Sequence, residues 1–206
     1  MIITLEGVDR SGKSTQAAML VERMRGQGYE TRLFKFPDYS TPTGRLISGY
    51  LKSGQGDPKT LHALMAENRR ERLGDIRRAM SEAHILVMDR YVESNMAYGL
   101  ANGLDRGWLA GLDEDMPKSD AVILLDMDAA ESFGRRGDGD SFESDHSFME
   151  RVAEAYRREA QAGRWYVVPG GFDPTTVHNA VMGCAMRAIS EAQRQGRWPD
   201  IRPSPE

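Results

Sequence analysis

The chain has 206 residues, with 27 Lys and Arg against 31 Asp and Glu, a formal charge of -4 and one cysteine. That length fits one domain able to bury its own core, and the acidic balance supplies no basic field for nucleic acid. No apolar stretch approaches membrane-spanning length and no cleavable signal is read ahead of the first strand, so the expected compartment is the cytoplasm. The lone Cys184 excludes an intramolecular disulfide and a cysteine-based zinc cluster.

Met1 to Leu5 is an apolar, β-branched run that predicts a buried strand. It leads into LEGVDRSGKSTQ, residues 5 to 16, where Gly7, Gly12, Lys13 and Ser14 complete the pattern G-x-x-x-x-G-K-[ST]. The two glycines admit backbone conformations that a side chain forbids, so the N–H groups of Gly7, Val8, Asp9, Arg10, Ser11, Gly12, Lys13, Ser14 and Thr15 can turn towards phosphate oxygens. From Ser14 onward Ala17, Ala18, Leu20, Val21 and Met24 recur at helical spacing, which puts a positive helix end at the same place. Lys13 is expected to bridge the outer phosphates of a nucleoside triphosphate, and the Ser14 hydroxyl to take a magnesium position.

Glu30 to Phe36 predicts a second strand, closed by Pro37. A short helix is expected over 43–51, then a Gly- and Ser-rich break, then one long helix over 59–82 with Leu61, Leu64, Met65, Leu73, Ile76 and Met80 on its apolar face. His84 to Met88 predicts a buried parallel strand ending at Asp89. Residues 90–118 read as helical and polar, broken at Gly103 and Gly107, and Ala121 to Leu125 as another buried strand ending at Asp126. GRRGDGDS at 134–141 holds three glycines and reads as a loop between helices. A helix over 147–162, a strand over 165–168 and a helix striped by Val177, Val181, Cys184 and Ala188 complete the domain, with WPDIRPSPE, residues 198–206, as a disordered tail.

Short apolar strands alternating with helices predict an α/β fold: one doubly wound parallel sheet of about five strands, covered on both faces, with its ligands at the carboxyl ends of the strands. Asp89 and Arg90 fall at such an end. A guanidinium there can clamp a phosphate by a planar fork, and the carboxylate can hold a metal through water. A structural ion pair is the competing reading of the same two residues.

LEGVDRSGKSTQ, FPDYSTPTG, ENRRE, DRYVESNMAYG, PKSDAVILLD and the Gly-rich loop followed by SFES together resemble the thymidylate kinase family of P-loop nucleoside monophosphate kinases, over nearly the whole chain. The resemblance implies one P-loop domain over 1–197 with a short lid at about 134–143, and transfer of the ATP γ-phosphate, with magnesium, to deoxythymidine monophosphate. It also implies a homodimer packed through the long helices. Catalytic positions carried over are Arg10, Lys13 and Arg90. Ser14 and Asp89 fall at the metal. Arg135 and Arg136 fall at the lid entry near ATP, so the catalytic arginine can come from the loop or from the lid.

On the acceptor side the resemblance places Asp9 at the sugar hydroxyl, and Phe36, Tyr39 and Arg45 near sugar and phosphate. Arg69 falls at a base carbonyl, Ser94 and Asn95 at the base edge, Tyr98 against the sugar 2′ carbon, and Phe142 in the lid. One position departs. Met65 stands where the family has an aromatic residue stacked on the base; residues four apart share a helix face, so Met65 and Arg69 meet the same ligand. A thioether specifies a flat ring less sharply, which leaves deoxyuridylate or a wider deoxypyrimidine range open, as it leaves open a plain core role for Met65. A deoxynucleoside kinase and a non-catalytic P-loop nucleotide-binding module are the competing functions.

Overall fold

The computed structural model describes residues 1–54, 56–128, 131–132, 146–163 and 165–198. The expected lid with Arg135, Arg136 and Phe142, and residues 199–206 of the expected tail, lie outside the described residues.

Five strands form one parallel sheet in the order β2-β3-β1-β4-β5. These are β1 (Ile2–Glu6), β2 (Thr31–Lys35), β3 (Ile85–Asp89), β4 (Ala121–Asp126) and β5 (Tyr166–Pro169). The helices are α1 (Lys13–Gly26), α2 (Pro42–Ser53), α3 (Pro58–Glu71), α4 (Leu73–Glu82), α5 (Val92–Ala101), α6 (Arg106–Leu112), α7 (His146–Gly163) and α8 (Pro174–Arg194). The central strands are apolar throughout because both faces are covered. Ile3, Leu5, Ile85, Val87, Ile123 and Leu125 pack with α1 and α8. Their alternates Ile2, Leu86 and Met88 pack beneath α4, and Leu124 packs against α7.

β1 lies between β3 and β4, with Leu5 level with Asp89 on one side and Ile123 on the other. The chain therefore reverses its winding about β1, and the loops leaving β1 and β3 open into the same crevice. Those loops carry the glycine motif and the Asp89–Arg90 pair.

Three expectations are corrected. The single helix over 59–82 is two helices, because Arg72 leaves helical geometry (φ -98, ψ 0) and its N–H bonds Arg69 O at 3.0 Å, three residues back instead of four. Around the break Arg69 pairs with Asp113, Arg70 with Asp115, and Arg72 with Asp38 and Asp75, and Gly74 weakens the next turn. After the break Met80 no longer shares the core face and is 47% exposed. Gly107 lies inside α6; the break falls at Gly103, whose φ of +74 suits glycine.

Trp198, the first residue of the expected tail, is buried and joins the core cluster of β1, α1 and α8. The ordered domain therefore extends past 197. We expect Trp198→Ala to destabilise the fold by about 3 to 5 kcal/mol, the scale for deleting a buried aromatic. An unchanged urea midpoint would place Trp198 outside the core.

Candidate functional site

The loop after β1 holds three residues at positive φ: Gly7 (147), Arg10 (62) and Gly12 (95). A Cβ at Gly7 would lie 2.6 Å from the carbonyl oxygen of Leu125 and 2.8 Å from Ser11 Oγ, so only glycine lets the loop sit this close to β4. Lys13 folds back over the loop, its buried Nζ donating to Val8 O at 2.6 Å. Burial, with Arg90 nearby, pushes its pKa down to about 8. Ser14 Oγ donates to Asp89 Oδ2 at 2.6 Å, which unites the two expected metal residues, and Lys35 Nζ stands 3.3 Å from that hydroxyl.

Arg90 also takes left-handed backbone geometry (φ 64), rare for a residue with a side chain. Its guanidinium pairs with Asp9, donates to Gly7 O at 3.1 Å and to Ser94 Oγ at 3.2 Å, and lies over the Tyr98 ring with Cζ 5.3 Å from the centroid. Burial opposes its charge, but Asp9, Tyr98, Tyr156 and Glu6 outweigh burial and hold it firmly protonated. Burial alone would raise Asp9; Arg90, Lys13 and the Tyr98 hydroxyl, which donates at 2.7 Å, bring its carboxyl below the ordinary value.

Beneath Arg90 lies a residue that the sequence reading did not single out. Glu6, at the end of β1, is fully buried and accepts from Tyr91 N (2.8 Å), Ser94 N (3.1 Å), Ser94 Oγ (2.6 Å) and Tyr156 OH (2.8 Å). An acidic residue closing an apolar strand is its sequence signal. Tyr156, on α7, is a second such residue.

A cleft beside this cluster is walled by Asp9, Phe36, Tyr39, Met65, Arg69, Arg90, Ser94, Asn95 and Tyr98 from the expected set, joined by Pro37, Leu51, Leu61, His62, Tyr91, Asn102 and Phe148. Met65 therefore faces the cleft with Arg69 rather than the core. Arg45, on α2, is exposed and donates to Ser40 O at 2.9 Å. Arg69 makes a buried two-pronged pair with Asp113, Nε to Oδ1 at 2.8 Å and Nη2 to Oδ2 at 2.7 Å. The expected Ser94–Asn95 pair divides: Asn95 joins Arg69 through Asp113, whereas Ser94 accepts directly from Arg90 and donates to Glu6. The arrangement can hold phosphate at the loop, a second anion at Arg90 and a flat polar ring between Phe36, Met65 and Arg69.

The family model for thymidylate kinase matches residues 5–181. A thymidylate kinase of Arabidopsis thaliana is 37% identical over 76% of this chain, although the match spans 60% of that protein, less than two thirds of its length. The thymidylate kinase of Homo sapiens is 32% identical over 93% of this chain and 92% of its own length. Among solved structures, thymidylate kinase from Candida albicans superposes with a TM-score of 0.74 at 28% identity, covering 93% of this chain and 92% of that one.

Next to Glu6, in the first turn of α5, Glu93 has a buried Oε2 with no hydrogen-bond partner among the described residues. Burial, then repulsion from Glu6, pushes its pKa up to about 7. Between the ordinary carboxyl value and about 7 the folded chain thus binds a proton that the unfolded chain releases, so stability falls as pH rises through that window. Glu93→Gln is expected to flatten this slope, read as urea midpoints across the pH range; an equal slope in both proteins would show that Glu93 ionises freely in the fold.

Proposed function

As the chain belongs to the thymidylate kinase family, we propose that it transfers the γ-phosphate of ATP to deoxythymidine monophosphate, giving the diphosphate. The observation that carries this reading is Arg90, held in the wall of the cleft against the phosphate loop by Asp9, Gly7 O and Ser94. Phosphoryl transfer needs positioning and charge neutralisation more than covalent help. The loop N–H groups and Lys13 receive the donor phosphates. The Arg90 fork takes the acceptor phosphate, with Asp9 turned to the sugar and Tyr98 closing beside it. Arg10, at the loop's crest, stabilises charge between donor and acceptor, and the lid arginines Arg135 and Arg136 belong to the same proposal.

Ser14 and Asp89 offer hard oxygen ligands at one point of the loop and fit magnesium, which they would hold by the hydroxyl and through water by the carboxylate. When bound, the ion neutralises charge on the donor phosphates. The cytoplasmic location and the homodimer are part of the same reading.

The test is ATP consumption with deoxythymidine monophosphate, deoxyuridine monophosphate and thymidine as acceptors. Turnover of the monophosphates and not of the nucleoside is expected; turnover of thymidine alone would favour a deoxynucleoside kinase, and none at all a binding module. Arg90→Lys should lose about 2 to 4 kcal/mol of transition-state stabilisation, because an ammonium keeps the charge but not the fork. An unchanged kcat and acceptor KM would remove Arg90 from the reaction.

Lys13 adds a pH dependence. With its pKa near about 8 in the free protein, the ammonium is lost as pH rises past that value, and bound phosphate favours its return. ATP affinity is therefore expected to weaken above that pH, with proton uptake on binding seen by calorimetry in buffers of different ionisation enthalpy. A flat affinity with no uptake would show that Lys13 stays charged.

A further inference from the structure

The inner end of the cleft is a closed hydrogen-bond network in which donor and acceptor roles are forced. Asn95 Oδ1 can only accept, so His62 Nδ1, 2.6 Å away, must be its donor. His62 Nε2 is then an acceptor, and Asn102 Nδ2 lies 3.3 Å from it, a donor. The Asn95 amide nitrogen spends its hydrogens on His62 O and Asp113 Oδ2, both at 3.3 Å. Arg69 spends Nε and Nη2 on Asp113, leaving Nη1 without a hydrogen bond to any described residue in a side chain that walls the cleft. Burial lowers the His62 pKa, which keeps the ring in the neutral form this pattern requires.

We propose that His62 and Asp113 are positioning residues for base selection: together they fix Asn95 as an acceptor and Arg69 as a donor towards the acceptor base. This deepens, and rests on, the proposed kinase function. A base fits if it places a carbonyl next to a ring N–H. Thymine and uracil do so at O4 and N3–H. Cytosine places an amino donor against Arg69 and a bare nitrogen against Asn95 Oδ1, so both contacts become repulsive. Selection therefore lies in the wiring behind the wall, and Met65 adds apolar contact without choosing between the two rings. Asn95 can exchange acceptor for donor only by turning its amide over. His62 Nδ1–H on one side and the Asp113 carboxylate on the other forbid that.

The measurement is the ratio of kcat/KM for deoxythymidine monophosphate to that for deoxycytidine monophosphate, with ATP saturating. Wild type should show a large ratio, and deoxyuridine monophosphate should behave like the thymine substrate. His62→Leu removes the donor that holds Asn95 Oδ1, and the ratio should fall by about tenfold or more, since buried polar wiring is what rejects the mismatched edge. His62→Gln returns an N–H to the same place and should recover most of it. Asp113→Asn presents an amino group to Asn95 Nδ2 and Arg69, and should lower the ratio likewise. A merely structural role would reduce both substrates equally and leave the ratio alone. If His62→Leu does not fold, as judged by circular dichroism, His62→Gln and Asp113→Asn decide: a retained ratio in the first and a fallen ratio in the second support the proposal. Ratios unchanged in every folded variant, or a wild type that uses both substrates alike, would overturn it. A wild type without turnover of any pyrimidine monophosphate would instead overturn the kinase function on which the inference rests.

Discussion

The Glu6 carboxylate is the constraint on which the rest of the site depends. It closes β1 at the centre of the sheet, fully buried, where a charge or even a protonated carboxyl is costly unless its oxygens are satisfied. The four groups that satisfy it come from the start of α5 and from α7. Two of them, Tyr91 N and Ser94 N, are N–H groups at the head of α5, which has no side-chain cap of its own. Glu6 thus caps a helix from another element, and the helix end in return favours negative charge there. Sheet, α5 and α7 are locked together immediately below Arg90.

This lock explains how Arg90 can hold left-handed geometry. Such a conformation costs about 1 to 3 kcal/mol for a residue with a side chain and persists only where surroundings over-determine it. Arg90 N donates to Leu5 O at 3.1 Å, and the next residue's N–H is held by Glu6, so the backbone is pinned on both sides of the turn. Arg10 shows the same conformation in the phosphate loop. The Arg90 guanidinium is therefore aimed by backbone held on both sides by β1.

How much of this was legible in the sequence depends on whether the signal was local. The strands were, because continuous apolar runs have one use in a sheet covered on both faces, and the phosphate loop was, because its glycines and lysine act within a few residues of one another. The break at Arg72 was not. The apolar spacing continues through it from Leu64 to Ile76, and the aspartates that Arg69, Arg70 and Arg72 meet beside it, Asp113, Asp115 and Asp38, lie far off in the chain. Trp198 misled for a related reason: Pro199 and Pro203 describe a tail, yet the indole just before them is captured by the core. At the site, Lys13, Asp9, Arg90 and Tyr98 follow from motif and resemblance and do converge. Asp113, His62 and Tyr156 carry no local signal, because each acts by touching a residue at least 33 positions away.

The division of Ser94 from Asn95 shows how one short helix serves both ends of the cleft. Adjacent residues on α5 point about 100° apart. Ser94 therefore turns to Glu6 and Arg90 while Asn95 turns to His62 and Asp113. Tyr98, one turn after Ser94, returns to the Arg90 side and closes on Asp9. The Arg90 end of the cleft is thereby ionic, strained and coupled to the phosphate loop, while the other end is neutral at His62 and tied to Asp113. The rigid helix between them fixes the spacing.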